Sequence, residues 1–165
     1  MNKPATPPSI KGRALRLLSQ REHSRTELER KLAQHEEVPG ELAKALDELQ
    51  ARDFINDGRA VDSVLNRRSG KWGSARIRQE LTAKGLAGEA VLDAMASLKD
   101  TELSRAQEIW QKKFGKQGAA PQERLKQMRF LLARGFSSEV VRQVLKNAQH
   151  GAEASDENSD ENPDG

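Results

Sequence analysis

Residues 81–95 read LTAKGLAGEAVLDAM, and residues 131–145, fifty positions further along, read LLARGFSSEVVRQVL. Both stretches start on leucine, carry a basic residue and a glycine at their fourth and fifth positions, and end with apolar residues at helical spacing. A basic residue followed by glycine is typical of a helix end. The apolar spacing after it predicts a further helix with one buried face.

The pattern also extends toward the N-terminus. Six leucines, each shifted by 49, land on apolar residues: Leu15, Leu28, Leu32, Leu42, Leu46 and Leu49 correspond to Val64, Ile77, Leu81, Val91, Met95 and Leu98. Three copies of a three-helix unit of roughly 50 residues explain both shifts. The sequence therefore predicts an all-α protein of nine short helices, arranged as three tandem three-helix repeats in an elongated array that can curve. The alternative is a chance match between leucine-rich amphipathic helices.

Charge and composition define the ends of this array. After Lys146 the chain has six acidic residues and no Lys or Arg. Such a segment has almost nothing apolar to bury, so we expect it to be disordered. The predicted boundaries are a flexible N-terminus over 1–10, repeats over 11–57, 58–99 and 100–149, and a disordered acidic tail over 150–165.

Residue types that carry catalysis are scarce. The chain has no Cys and only three His, and no HExxH, Walker A, GxGxxG or GxSxG motif occurs. We expect His23 and His35 to be surface groups, and Asp53 and Asp57 to mark a turn and a helix cap rather than a cation site. The sequence predicts a non-enzymatic protein with no metal or cofactor, and it contains no apolar run that could cross a membrane.

Basic residues are the stronger indication of function, because they concentrate in the second and third repeats. A basic helical array with few histidines suits a polyanion or an acidic protein surface. The alternative is an ordinary solvated face. The candidate binding residues are Arg67, Arg68, Lys71, Trp72, Arg76, Arg78, Lys84, Lys126, Arg129 and Arg134.

The two tryptophans have different settings in the sequence. Trp72 lies between Lys71 and Gly73, off any helical stripe, so it is either a wedge between two helices or an anchor at an interface. Trp110 shares a helical stripe with Phe114, which favours a place in the core.

Four ordered motifs resemble the RecX family, the bacterial modulators of the RecA recombinase. They are SRTELERKL at residues 24–32, FINDGRA at 54–60, GSARIRQEL at 73–81 with Lys84-Gly85, and RFLLARGF at 129–136. Each motif is weak alone, but their order and spacing are specific, and together they cover residues 12–146. The acidic tail has no counterpart in the family pattern.

The resemblance implies three tandem three-helix repeats and binding in the groove of the RecA–DNA filament. It also implies reduced recombinase, ATPase and coprotease output, and hence modulation of homologous recombination, DNA repair and the SOS response. Family members are non-enzymatic and cytoplasmic, and we expect a monomer. The alternative is a helical protein that binds single- or double-stranded DNA directly through phosphate contacts. A helix-turn-helix repressor is disfavoured, because no recognition helix or dimerisation segment is evident.

Overall fold

The computed structural model describes residues 4–115 and 120–156, with side chains to residue 151. This part of the chain forms eight α-helices and one short 3-10 helix and contains no strand. The helices are α1 (Ile10–Gln20), α2 (Arg25–Leu32), the 3-10 helix Ala33–His35, α3 (Glu41–Ala51), α4 (Asp57–Arg68), α5 (Ser74–Ala83), α6 (Glu89–Phe114), α7 (Pro121–Ala133) and α8 (Ser138–Asp156).

Short polar side chains start several of these helices. Ser24 forms a full capping box with Glu27, in which each side chain accepts a hydrogen bond from the other residue's backbone N–H. The Asn56 side chain accepts from the Arg59 N–H at 2.9 Å at the start of α4.

Helix α6 differs from the predicted pattern. The predicted third repeat begins at residue 100, yet α6 runs without a break from Glu89 to Phe114. No glycine or proline lies within it, so nothing in its sequence forces a stop. The prediction of nine short helices is wrong at this point, because two of them are one helix of 26 residues.

The described residues divide into two compact units. Unit 1 comprises residues 4–66 and 80–94, and unit 2 comprises 67–79, 95–115 and 120–156. The core of unit 1 is aliphatic and contains Ile10, Ala14, Leu28, Leu32, Leu42, Leu46, Leu49 and Ile55. All of them except Ile55, which follows α3, come from α1, α2 and α3 at helical spacing.

Unit 2 has its own core, built from α6, α7 and α8. Its buried members are Ala106, Leu131, Phe136, Val141, Val144 and Leu145. Trp110 packs against this core and donates its indole N–H to the Gln127 side chain at 2.9 Å. The predicted core position of Trp110 is confirmed, and Gln127 is buried because it satisfies that donor.

The C-terminal boundary also differs from the prediction. Helix α8 extends to Asp156, so the predicted tail start at residue 150 is wrong. Residues 152–154 are Ala, Glu and Ala, which favour continuation of a helix. The rest of the predicted tail, residues 157–165, lies outside the described residues.

Candidate binding surface

Charge is divided very unevenly between the two units. The sequence of unit 1, residues 1–66 and 80–94, holds 12 Lys and Arg against 14 Asp and Glu. The sequence of unit 2, residues 67–79 and 95–165, holds 16 Lys and Arg against 11 Asp and Glu, and six of those acidic residues follow Lys146. Lys and Arg therefore outnumber Asp and Glu in unit 2 but not in unit 1.

The most distinctive basic feature of unit 2 is a tryptophan that contacts two arginines. After α4 ends at Arg68, the N–H groups of Lys71 and Trp72 both donate to the Arg68 carbonyl at 2.9 Å, which closes a tight turn. The guanidinium carbons of Arg68 and Arg76 lie 4.4 and 4.0 Å from the centroid of the half-buried Trp72 ring. We call Arg68, Trp72 and Arg76 the arginine–tryptophan stack.

Backbone hydrogen bonds fix the segment that carries the stack. The Gly73 N–H donates to the Arg134 carbonyl at 2.8 Å, and the Ala75 N–H donates to the Gly135 carbonyl at 3.2 Å. The two backbone segments approach so closely that a Cβ at Gly73 would overlap the Gly135 backbone. Gly135 itself has a φ of +88°, which favours glycine. The stack therefore stands on a rigid base.

Arg105 braces the same segment from α6. Its guanidinium donates to the carbonyls of Ser69 at 3.0 Å, Trp72 at 2.7 Å and Leu98 at 3.0 Å. Burial lowers its pKa, because the charged form loses water contact. Arg105 positions the stack and was not among the predicted site residues. It also donates to the hydroxyls of Thr101 at 3.1 Å and Ser74 at 3.4 Å, and no sequence signal separates it from the surface arginines, because most of its acceptors are far away in sequence.

A second aromatic ring carries two more cations. Arg134 and Lys113 lie 4.8 and 5.6 Å from the centroid of Phe130. Arg134 also donates to the Lys71 carbonyl at 3.1 Å, which joins this group to the segment of the stack. Cations held over aromatic rings are more ordered than those on mobile stems. Unit 2 thus presents ordered positive charge at two neighbouring places.

The other predicted residues of unit 2 are exposed. Arg67 ends α4, Lys71 lies in the turn, and Arg78 lies on α5. Lys126 and Arg129 lie on the exposed face of α7. Of the ten predicted residues, the structure directly joins Arg68, Lys71, Trp72, Arg76 and Arg134 through the contacts described above.

Lys84 has a different environment, within unit 1. Its ammonium donates to the Glu27 carboxylate at 2.6 Å, and Arg21 donates to the same oxygen at 2.8 Å. Burial would raise the pKa of Glu27, but hydrogen bonds from Arg21, Lys84 and the Ser24 backbone lower it to about 2. The side chain of Lys84 is only 15% exposed, so it serves the interior of unit 1.

The position of His23, also in unit 1, contradicts the sequence prediction. It was expected at the surface, yet it is only 1% exposed. Its Nδ1 lies 3.0 Å from the Arg21 carbonyl, and its Nε2 lies 3.4 Å from the Lys31 ammonium. Burial is the main reason that its pKa is lowered. His23 directly precedes Ser24, the N-cap of α2, and both residues are buried because this helix start is packed inside unit 1.

Neither a metal site nor a membrane helix is found among the described residues. No group of three or more His, Cys, Asp or Glu side chains is arranged to hold a metal ion there. Asp53 accepts from Asn56 at 2.9 Å and from Arg59 at 2.8 Å, which suits the predicted turn. In the same part of the chain, every helix is too short or too polar to span a bilayer.

Family models match all three repeats. The first, second and third three-helix domains of RecX match residues 11–49, 56–95 and 100–145. The chain belongs to the RecX family. Its fold class, three tandem three-helix domains without strands among the described residues, is therefore confirmed.

Relatives and solved structures agree with this assignment. The regulatory protein RecX of Leptothrix cholodnii is 53% identical over 142 residues, which cover 86% of this chain and 90% of that one. RecX of Ralstonia nicotianae is 42% identical over 154 residues, with 93% and 97% covered. The crystal structure of RecX from Lactobacillus salivarius has a TM-score of 0.72 at 20% identity, covering 85% of this chain and 94% of that one.

Proposed function

We propose that this protein binds the RecA–DNA filament in the cytoplasm as a monomer and inhibits its recombinase, ATPase and coprotease activities. It would thereby restrain homologous recombination and the SOS response. Membership of a family of regulatory proteins supports the regulatory part of this proposal. RecA as the partner follows from the family resemblance of the four sequence motifs.

The observation that carries the proposal is the ordered positive charge of unit 2. The arginine–tryptophan stack holds two guanidiniums on one ring, and residues 67–79 contain five basic residues and no acidic one. A filament of protein on DNA offers an anionic ligand at a regular spacing. Several weak contacts to such a ligand add up through multivalency, so binding alone can obstruct the filament without any catalysed reaction.

A second candidate function is direct binding of DNA without RecA. The absence of acidic residues from 67–79 favours it, because phosphate contacts need local positive charge and little else. The two functions make different demands. A RecA regulator must act on the filament at salt concentrations where its own DNA binding is lost, whereas a simple DNA binder loses both together.

The test is co-sedimentation with RecA filaments, together with the RecA ATPase rate. Lys71→Glu/Arg78→Glu reverses two exposed charges of unit 2, and Lys44→Glu/Arg52→Glu makes the same change at exposed positions of unit 1. We expect the first variant to lose at least tenfold in filament binding and the control to lose less than threefold. Wild-type protein that neither sediments with filaments nor slows ATP hydrolysis would refute the proposal.

A further inference from the structure

The arginine–tryptophan stack has a geometry that identifies its ligand more closely. Building on the proposed function, we propose that the stack binds two successive phosphates of one DNA strand and does so without stacking any base. The site would thus be the place where this protein contacts the DNA of the filament. Its ligand class is the phosphodiester backbone of one nucleic acid strand, of any base sequence.

The first argument is the spacing of the two cations. Because the guanidinium carbons lie 4.4 and 4.0 Å from one ring centroid, they are at most about 8 Å apart. Two like charges held this close favour a ligand with more than one negative charge at short, fixed spacing. Successive phosphates of one strand have that property, and each accepts hydrogen bonds from a guanidinium edge.

The second argument is the order of the stack. A cation–π contact uses the face of a guanidinium, whereas its N–H donors lie in its plane. The Arg76 Nη1 makes one long hydrogen bond, 3.4 Å to the Ala133 carbonyl, and the Arg76 side chain is exposed. Because both guanidiniums are already positioned, less side-chain entropy is lost when a phosphate binds.

The third argument excludes base stacking on the ring. Proteins that bind single strands commonly stack bases on exposed aromatic side chains. Here, two guanidiniums already lie over the half-buried Trp72 ring, which leaves little of it for a base. Recognition through phosphates alone predicts equal affinity for different base sequences and a strong dependence on salt.

A nucleic acid strand also fits this site better than an acidic protein surface does. A protein carboxylate is a single anion that pairs with one guanidinium, so a second fixed guanidinium adds little to its binding affinity. Lys71 and Arg78, both exposed, add charge within the same short segment. A free nucleotide shares the phosphate chemistry but ends after two or three phosphates, so it cannot use this extended set of cations.

Trp72 itself can report the binding. The chain has only two tryptophans, so Trp110→Phe leaves Trp72 as the single indole fluorophore. Fluorescence is titrated with fifteen-nucleotide oligo-dT and oligo-dA in the absence of RecA. We expect both oligonucleotides to change the Trp72 signal, with affinities that agree within threefold. A preference of tenfold or more for one base would overturn the phosphate-only site.

The charge requirement is tested by fluorescence anisotropy of a labelled oligonucleotide at several salt concentrations. In Arg68→Gln/Arg76→Gln, the slope of log affinity against log salt should fall by about 1.4, since each phosphate contact on single strands contributes about 0.7. Arg142→Gln/Lys146→Gln, which removes the same charge from exposed positions of α8, is the matched control and should change the slope by less than half as much. An equal fall in both variants would mean unspecific charge and overturn the site.

Two competitors separate the sources of anionic groups. ATP at millimolar concentration should leave the Trp72 signal of the oligonucleotide complex unchanged, and so should a peptide of alternating Asp and Glu. Displacement by ATP would assign the site to free nucleotides, and displacement by the peptide would assign it to an acidic protein surface. Either result overturns the strand proposal.

Different results would refute the strand proposal and the proposed function. If Arg68→Gln/Arg76→Gln loses RecA inhibition while DNA binding by the protein alone is unchanged, the stack contacts RecA and the strand proposal is wrong. If wild-type protein binds oligonucleotides as described but does not act on RecA filaments, the strand site stands and the proposed function fails.

Discussion

The two units contain the same backbone junction with opposite side-chain chemistry. In unit 1, the start of α2 meets the turn after α5, where the Ser24 hydroxyl donates to the Lys84 carbonyl and Gly85 packs against Thr26. Fifty residues later, the start of α5 meets the turn after α7, where Gly73 and Gly135 are packed together. Both turns end on a glycine with positive φ.

The difference lies in where the charges go. In unit 1, Arg21 and Lys84 both donate to Glu27, so the junction satisfies its own charges inside. In unit 2, the buried Glu102 carboxylate accepts from the Ser74 N–H at 3.3 Å, and the guanidiniums of Arg68 and Arg76 lie on Trp72. On the proposed function, one repeat junction serves stability and the other serves binding. Repetition of a backbone does not imply repetition of function.

The largest expected effect is on the unit 1 junction. Glu27→Gln leaves Lys84 and Arg21 without their shared carboxylate in a poorly hydrated place. Removing one partner of a buried ion pair destabilises a protein strongly, so we expect a loss of about 3 kcal/mol in unfolding free energy. Urea unfolding at neutral pH measures it. A loss below about 1 kcal/mol would show that the charges of this junction do not stabilise it.

The unit 2 junction should be sensitive to volume rather than to charge. In Gly73→Ala, the new methyl group would overlap the Gly135 backbone, which cannot move aside easily. We expect a loss of about 2–3 kcal/mol. Gly70→Ala is the control, because a Cβ there meets nothing within 4 Å. Equal urea midpoints for the two variants would contradict the close approach of the backbone segments at Gly73 and Gly135.

Acid should affect unit 1 through Glu27. Because its pKa is lowered to about 2 in the folded protein, the ionised carboxylate adds stability above its ordinary pKa, and that stability is lost as the pH falls toward 2. Between pH 6 and pH 3, wild type should lose about 2 kcal/mol more than Glu27→Gln. The titration of His23 does not cancel fully in this difference, because the Glu27 charge raises the His23 pKa only in wild type. Parallel pH curves would contradict the assignment.

The smallest expected effect on stability is at the stack. Arg76→Gln removes an exposed guanidinium whose main contact is the Trp72 ring, so the loss should stay below about 1 kcal/mol. Thermal unfolding measures it, with Arg142→Gln as an exposed control. A loss above 2 kcal/mol would mean that the stack is a structural wedge, which is the alternative that the sequence left open for Trp72.

The sequence predicts this fold well because each repeat is marked by local sequence patterns. Apolar spacing, capping serines and basic–glycine helix ends are all read within one or two turns. Partners far apart in sequence leave no such trace. Lys84 looks like any basic residue until it meets Glu27, 57 residues away, and Arg105 becomes a brace only because distant carbonyls converge on it.

The arginine–tryptophan stack could be predicted from the sequence only in part. Arg68 and Arg76 are each four residues from Trp72, so the residues could be named from the sequence. The tight turn after α4 that brings both guanidiniums over one ring could not be read from that spacing. The split between the two junctions also needed the structure, because the sequence does not show that Arg21 and Lys84 share Glu27 whereas Arg68 and Arg76 share Trp72.

One crossed measurement tests the central claim that the unit 1 junction stabilises and the unit 2 junction binds. Unfolding free energy and RecA-filament co-sedimentation are measured for Glu27→Gln and for Arg68→Gln/Arg76→Gln, under conditions where both are folded. We predict that Glu27→Gln loses about 3 kcal/mol yet binds filaments within threefold of wild type. The stack variant should lose at least tenfold in binding and little stability. Wild-type binding by the stack variant, or a parallel loss of both properties in either variant, would contradict the account.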